Sequence, residues 1–268
     1  MAALGVGACA TGGSAWMEQP LDSDYAPVLE EGDAAPSEPT QASPAAPRSV
    51  RVGARETSSE QPGSLPRVDE RAAQVGGRVL GTFRNTYYDF PNESDFDGAQ
   101  TPLKNARCDT IASVAKGFFE AVCVQGSGTL RRGSTVSFAK RDCDCAEICP
   151  RTEQRICFDE LDPKEFPWGR GAMGKPITPL LTVAVDPEVI TLGTAVYVPE
   201  LDGLPRDPDG TSRHDGCFVA QDKGLKVKGQ HLDIFTGHAS ITALWNRMVP
   251  SNRGVTVVVE SQRCARGP

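Results

Sequence analysis

The sequence predicts a mainly β protein, a small barrel or sandwich of short strands, and three observations carry that expectation. Short apolar runs rich in Val, Ile, Leu and Phe recur at close spacing over 180–185, 194–198, 217–221, 230–235 and 254–260. Upstream, Arg78-Val79-Leu80-Gly81-Thr82-Phe83-Arg84-Asn85-Thr86-Tyr87-Tyr88 is β-rich in composition and closes on Asp89-Phe90-Pro91-Asn92, a turn signal. Helical periodicity is confined to two short stretches.

The first helix is expected from Asp109 or Thr110, either of which can cap it, with Ile111, Val114, Ala115, Phe118 and Val122 on one face. Gly126-Ser127-Gly128 and Arg132-Gly133-Ser134 mark turns around short strands. From Arg141 to Pro179 the chain is rich in cysteine and turn residues and ends in Phe166-Pro167-Trp168-Gly169-Arg170-Gly171; it reads as a stapled insertion with sparse regular structure. Leu192-Gly193-Thr194 is a turn between strands. The second helix is expected near Ser240–Met248, with Ile241, Leu244, Trp245 and Met248 on one face and Pro250 ending it.

The 268 residues divide unevenly. Residues 10–76 mix Pro, Ser, Ala and Glu with few clustered apolar residues, so folding there would not recover its entropy cost, and they read as a disordered tether. Five basic and eleven acidic residues precede Gly76, which places −6 of the net charge of −7 in that segment. Residues 77–268 are nearly neutral. They carry no basic stripe for nucleic acid and no apolar run of the ~20 residues that a membrane span needs.

Of nine cysteines, Cys9 stands apart, at the end of Leu4-Gly5-Val6-Gly7-Ala8-Cys9. Small residues before a cysteine resemble the end of a bacterial lipoprotein signal, although the eight preceding residues hold neither its basic start nor most of its apolar stretch. The expectation is a lipid anchor on Cys9, with 1–9 as a partial signal and 10–76 holding the folded part away from a membrane. The other eight cysteines suit four disulfides in an oxidising compartment, their pairing left open. Cys143-x-Cys145-x3-Cys149-x7-Cys157 has a thiolate count that would suit zinc, but it lacks the C-x-x-C spacing and a neighbouring histidine. No metal or cofactor is expected.

Three aspartates end or interrupt the apolar runs: Asp186 in LLTVAVD, Asp222 in GCFVAQDKG and Asp233 in GQHLDIFTG. Asp at a strand end is ordinarily a turn former, accepting hydrogen bonds from nearby amides. Asp233 differs, because strand alternation puts His231, Asp233 and Phe235 on one face and Leu232 and Ile234 on the other. A carboxylate there is costly unless partnered or neutral, and a carboxyl kept neutral near pH 7 is what a general acid needs.

Asp222-Lys223-Gly224, followed by Lys228-Gly229-Gln230-His231-Leu232-Asp233-Ile234-Phe235, with Val183-Ala184-Val185-Asp186-Pro187 upstream, resembles the three-aspartate (3D) domain shared by lytic transglycosylase A and the stationary-phase cell-wall proteins. Thr86-Tyr87-Tyr88 is similar to the tyrosine-containing first strand of those proteins. The resemblance covers 78–90 and about 178–260; the insertion at 98–177 lies outside it. It implies a six-stranded double-psi β-barrel over 77–268, peptidoglycan glycan strands as partner, and a bacterial envelope location. It further implies that Asp233 alone protonates the glycosidic oxygen between N-acetylmuramic acid and N-acetylglucosamine, then takes the proton of the 6-hydroxyl as a 1,6-anhydro product closes.

Asp186 and Asp222 are expected as supports that orient loops and raise the pKa of Asp233. Thr86, Tyr87, Tyr88, Gly224, Gly229 and His231 are the candidate glycan contacts. Trp168 is a further aromatic candidate, whereas Trp245 reads as core. The alternatives are a non-catalytic wall-binding or wall-loosening module and a divalent-cation site formed by the three carboxylates.

Overall fold

The structure is a computed structural model describing residues 74–265. The expected signal with Cys9, and the tether up to residue 73, lie outside the described residues. In chain order the elements are β1 (Arg78–Asp89), β2 (Gln100–Lys104), β3 (Thr110–Ala115), α1 (Lys116–Gln125), β4 (Ser127–Thr129), β5 (Thr135–Lys140), β6 (Ile148–Cys149), β7 (Gln154–Arg155) and β8 (Cys157–Leu161). They continue with β9 (Thr182–Val185), β10 (Ala195–Pro205), β11 (Arg213–Asp222), β12 (His231–Gly237), α2 (Ala239–Met248) and β13 (Val255–Val259). A single-turn 3-10 helix, Glu93–Asp95, follows β1.

Six of these strands close a barrel in the order β1-β12-β9-β11-β10-β13. β1 runs parallel to β12 and β9 parallel to β11, and the other neighbours are antiparallel. Strands consecutive in the chain enclose others: β11 and β12 flank β9, and β12 and β13 flank β1. This is the interleaving expected of the double-psi barrel.

Strand alternation divides each wall into an inner and an outer face. Phe83, Tyr87, Val183, Val185, Leu232 and Ile234 fill the interior. Trp245 of α2 completes that core, wholly buried, with its indole Nε1 donating to the Pro205 carbonyl at 2.7 Å. Helical spacing brings Ile241 to the same buried face, but Met248, expected there too, is 44% exposed at the last turn. The outer face over β1, β12 and β9 carries Tyr88, Phe235 and Ala184, which pack with Val124 and Ile177 of the inserted region.

The inserted region is more regular than the sequence suggests. β4, β5 and β8 form one sheet, β2 and β3 a hairpin, and β6 and β7 a two-residue ribbon. Leu103, Phe118, Val122, Leu130, Phe138 and Phe158 form their own core there. The expected helix at 110 starts at Lys116 instead, because Thr110–Ala115 pairs with β2 and no side chain caps the helix at Asp109 or Thr110. Within 141–179, where sparse structure is expected, the regular elements are the short strands β6, β7 and β8, and none lies between 162 and 181.

The eight cysteines form four disulfides: Cys108–Cys145, Cys123–Cys149 and Cys143–Cys157 in the inserted region, and Cys217–Cys264 on the barrel. Among the described residues no helix is long and apolar enough to cross a membrane.

Candidate active site

Pairing across four barrel strands places the chemistry in one row on the outer wall. Thr86 of β1 lies opposite Asp233 of β12, Asp233 opposite Ala184 of β9, and Ala184 opposite Asp222 of β11. Plain alternation would turn Asp222 inward with Ala220. A β-bulge between those two residues re-aims it outward. Two strand spacings separate the Asp222 and Asp233 backbones, about 10 Å, and the single methyl of Ala184 lies between them.

Asp233 has no exposed surface. Thr86 Oγ1 donates to its Oδ1 at 2.6 Å, while Oδ2 is buried without a partner. Burial pushes its pKa up to about 7; the Asp222 charge adds to the rise, and the Thr86 hydroxyl and Arg84 oppose it. The same Thr86 hydroxyl lies 2.8 Å from His231 Nε2, and His231 Nδ1 is 3.3 Å from the Lys226 carbonyl.

Asp222 is also buried, but its oxygens are taken. The Lys223 amide donates to Oδ1 at 2.9 Å and the Tyr88 hydroxyl to Oδ2 at 3.0 Å. Burial raises its pKa to about 6, against these donors and the Ala172 amide, which reaches it from the inserted region. The Tyr88 phenol is held well above its ordinary pKa, by burial first and the two aspartates next, and so stays a neutral donor.

Asp186, just past β9, behaves in the opposite way. Its Oδ2 accepts from the Gly229 amide at 2.7 Å and its Oδ1 from the Glu188 amide at 3.1 Å. Those donors, Gly229 foremost, hold its pKa below the usual carboxylate range. The result is a clamp fastening the turn after β9 to the residue two before β12. Asp186 is not among the charges that tune Asp233, so that role falls to Asp222 alone.

The remaining candidates separate by which way they face. Thr86, Tyr88 and His231 reach the row but are themselves buried; Thr86 holds Asp233, Tyr88 holds Asp222, and His231 meets Thr86. Tyr87 alternates inward, joins the barrel core and donates to the Val249 carbonyl at 2.7 Å, so it is not a groove residue. Gly224 is buried, which removes it as a surface where glycan backbone could approach; Gly229 is exposed, at φ +62° with open space where a Cβ would stand. Trp168 packs edge-on against Phe90, Phe235 and His238. His214 is structural, its Nε2 on the Leu180 carbonyl and its Nδ1 accepting from the Gly216 amide.

Sequence reasoning missed Ala184 and Ala172. Ala184 carries one faint signal, a small residue inside a Val-Ala-Val strand; Ala172 acts through its backbone amide, which no side chain announces. Among the described residues, the only grouping of three metal-ligating atoms is Cys143, Cys145 and Cys157. Its three sulfurs belong to two neighbouring disulfides, Cys143–Cys157 and Cys108–Cys145. The aspartates form no such grouping, and their oxygens other than Asp233 Oδ2 are engaged by donors.

The 3D domain family matches residues 181–245, the span that holds Asp186, Asp222 and Asp233. MltA of Escherichia coli, solved with bound chitohexaose, is 18% identical with a TM-score of 0.49, over 68% of this chain and 72% of that one. The membrane-bound lytic murein transglycosylase of Agrobacterium tumefaciens is 14% identical with a TM-score of 0.47, over 69% and 75%. MltA of Neisseria gonorrhoeae is 18% identical with a TM-score of 0.40, over 56% and 47%. Among curated proteins nothing matches the sequence. Residues 181–245 of this chain are a 3D domain.

Proposed function

We propose that the protein is a peptidoglycan lytic transglycosylase of the bacterial envelope, with Asp233 as its single acid and base. One observation carries the reading: of the three aspartates, only Asp233 combines a pKa near 7 with an oxygen that no protein group occupies. A two-carboxylate glycosidase needs a second carboxylate about 5–9.5 Å away and free to attack or to activate water. Asp222 is committed to Tyr88 and Lys223, and Asp186 to two amides.

A single acid suffices when the nucleophile belongs to the substrate. Asp233 Oδ2–H protonates the glycosidic oxygen as its bond to C1 breaks. The muramyl 6-hydroxyl oxygen then bonds C1, and its proton passes to the Asp233 carboxylate. Each bond broken is matched by one formed, the acid is regenerated and no water is consumed. Burial keeps the carboxyl protonated until that moment. Because Asp233 is fully covered, a glycan reaches it only if the cover moves, and the turn between Gly224 and Gly229 is the adjoining segment.

The test is digestion of purified sacculi by wild type and Asp233→Asn side by side, with products weighed by mass spectrometry. The expected result is anhydro-muropeptides from the wild type and a rate lower by roughly 10²–10⁴-fold in the variant. Folded wild type that sediments with sacculi and releases nothing at any pH rejects catalysis and leaves a binding module. A lipid anchor on Cys9 belongs to the same proposal and is read from the mass of the mature N-terminal peptide.

A further inference from the structure

The proposed reaction uses one oxygen of Asp233, and the other belongs to a hydrogen-bonded chain for which that reaction has no use. Asp233 Oδ1 lies 2.6 Å from Thr86 Oγ1, Thr86 Oγ1 lies 2.8 Å from His231 Nε2, and His231 Nδ1 lies 3.3 Å from the Lys226 carbonyl. All three side chains are buried. A carbonyl only accepts, so the last contact favours a proton on Nδ1. A hydroxyl has one proton, so Thr86 donates to one neighbour and accepts from the other.

Two arrangements then satisfy every atom in the chain. In the first, Asp233 Oδ1–H donates to Thr86, Thr86 donates to bare Nε2, and His231 is neutral. In the second, Thr86 donates to an ionised Asp233, Nε2–H donates to Thr86, and His231 is cationic. They differ by two protons, each moved across one short hydrogen bond. The net charge of the pair is zero in both.

We infer that Thr86 and His231 form a proton relay to Asp233, in which the carboxyl and the imidazole share one proton through the threonine hydroxyl. The inference rests on Asp233 being the acid of the proposed reaction and adds a second route by which it is recharged. When the pair is fully protonated, with Asp233 carrying its proton on Oδ2 and His231 cationic, loss of the Oδ2 proton lets Thr86 pass its own proton to Oδ1 and take one from Nε2, which ends in the first arrangement with a neutral imidazole. Water need not enter a pocket in which Asp233 has no exposed surface. Thr86 and His231 are thus positioning residues that act through Asp233.

Arg84 of β1 and Asp222 of β11 bear on Asp233, which in turn bears on Tyr88 of β1. Lys226 and Lys228 stand exposed in the turn before β12, and Ala184 of β9 brings no charge. Charges alone can couple two titrations, so the test must remove the hydroxyl and keep the charges.

The full chain, labelled with 15N and 13C and without substrate, serves for this. The His231 imidazole nitrogens and the Asp233 carboxyl carbon are followed by NMR from pH 4 to 9. The expected wild-type result is that both residues report the same two midpoints, with His231 cationic below the lower one and neutral, protonated on Nδ1, above the upper one. Thr86→Val should reduce His231 to one midpoint, displaced by about one pH unit or more, and Thr86→Ser should restore two. Asp233→Asn, which keeps the hydroxyl, should also leave His231 with one midpoint and is the second arm if Thr86→Val does not fold.

A neutral Nε2–H tautomer, a single wild-type midpoint for His231, or shared midpoints persisting in Thr86→Val would each overturn the relay. The measurement is independent of turnover. Shared midpoints with inert sacculi would reject the lyase and keep the relay; cleaved sacculi with independent titrations would do the reverse.

Discussion

The barrel and the inserted region bury apolar surface by different means. The barrel gathers 20 buried residues into one cluster and carries one disulfide, whereas the inserted region gathers 12 and carries three. A small core stabilises little beyond its conformational entropy cost, and cross-links compensate by restricting the unfolded chain. The difference teaches where precision is needed. The site row is set by strand pairing in the well-filled barrel, while the inserted region covers it and touches Asp222 through one amide.

The sharpest way to break that comparison is to remove a staple from the smaller region. Cys123–Cys149 ties α1 to β6 across 26 residues of chain. Replacing both cysteines by serine should cost roughly 3 kcal/mol by loop-closure entropy. Hydrogen exchange should then accelerate first at β5 and β8, with β10, β11 and β12 still protected. Equal acceleration in both regions would show that the shared cluster of Tyr88, Phe235, Val124 and Ile177 makes them one cooperative unit.

The same contrast explains what could be read from the sequence. Barrel strands announce themselves through uninterrupted Val, Ile and Leu bounded by turn residues, and the helix at Ile241 and Trp245 through i, i+4 spacing. The inserted sheet shows only through its turns at Gly126-Ser127-Gly128 and Arg132-Gly133-Ser134, because its strands mix serine, lysine and cysteine with apolar residues, as in Thr135–Lys140 and Cys157–Leu161. Asp233 was legible from its place among apolar strand residues. The outward turn of Asp222 was not, since a one-residue bulge reverses every alternation argument beyond it. Tyr87 and Tyr88 are alike in composition, and only the barrel's closure decides that Tyr87 faces in.

The next effect is of opposite sign. In the folded state Asp233 titrates near 7, and unfolded near 3.9. Between those values the folded protein binds more protons than the unfolded one, so this group's contribution to stability falls as pH rises from about 4 to about 7. Asp233→Asn removes the ionisation. It should stabilise the protein by about 4 kcal/mol at pH 8 and by little at pH 4, read as a widening gap between melting temperatures. A constant gap across that range would mean that the carboxyl is not held neutral by the fold, and the acid assignment would lose its physical basis.

Asp186 should give the smallest effect, with the reverse slope. Its folded pKa lies below the unfolded value, so its contribution is fully present above about 4 and is lost as pH falls through the folded value. Although only 6% exposed, it is governed chiefly by the Gly229 and Glu188 amides, and its cover is one turn of loop. Asp186→Asn keeps an acceptor for one amide and weakens the other contact, at a cost of about 1 kcal/mol at pH 7 that shrinks toward pH 3. Its effect on sacculus digestion should follow the loop rather than the acid: a lower rate with the pH of half-maximal activity unmoved. A shifted pH profile would instead place Asp186 in electrostatic contact with Asp233, on the same outer wall as Asp222, and the division of the three aspartates into one acid, one tuner and one clamp would have to be redrawn.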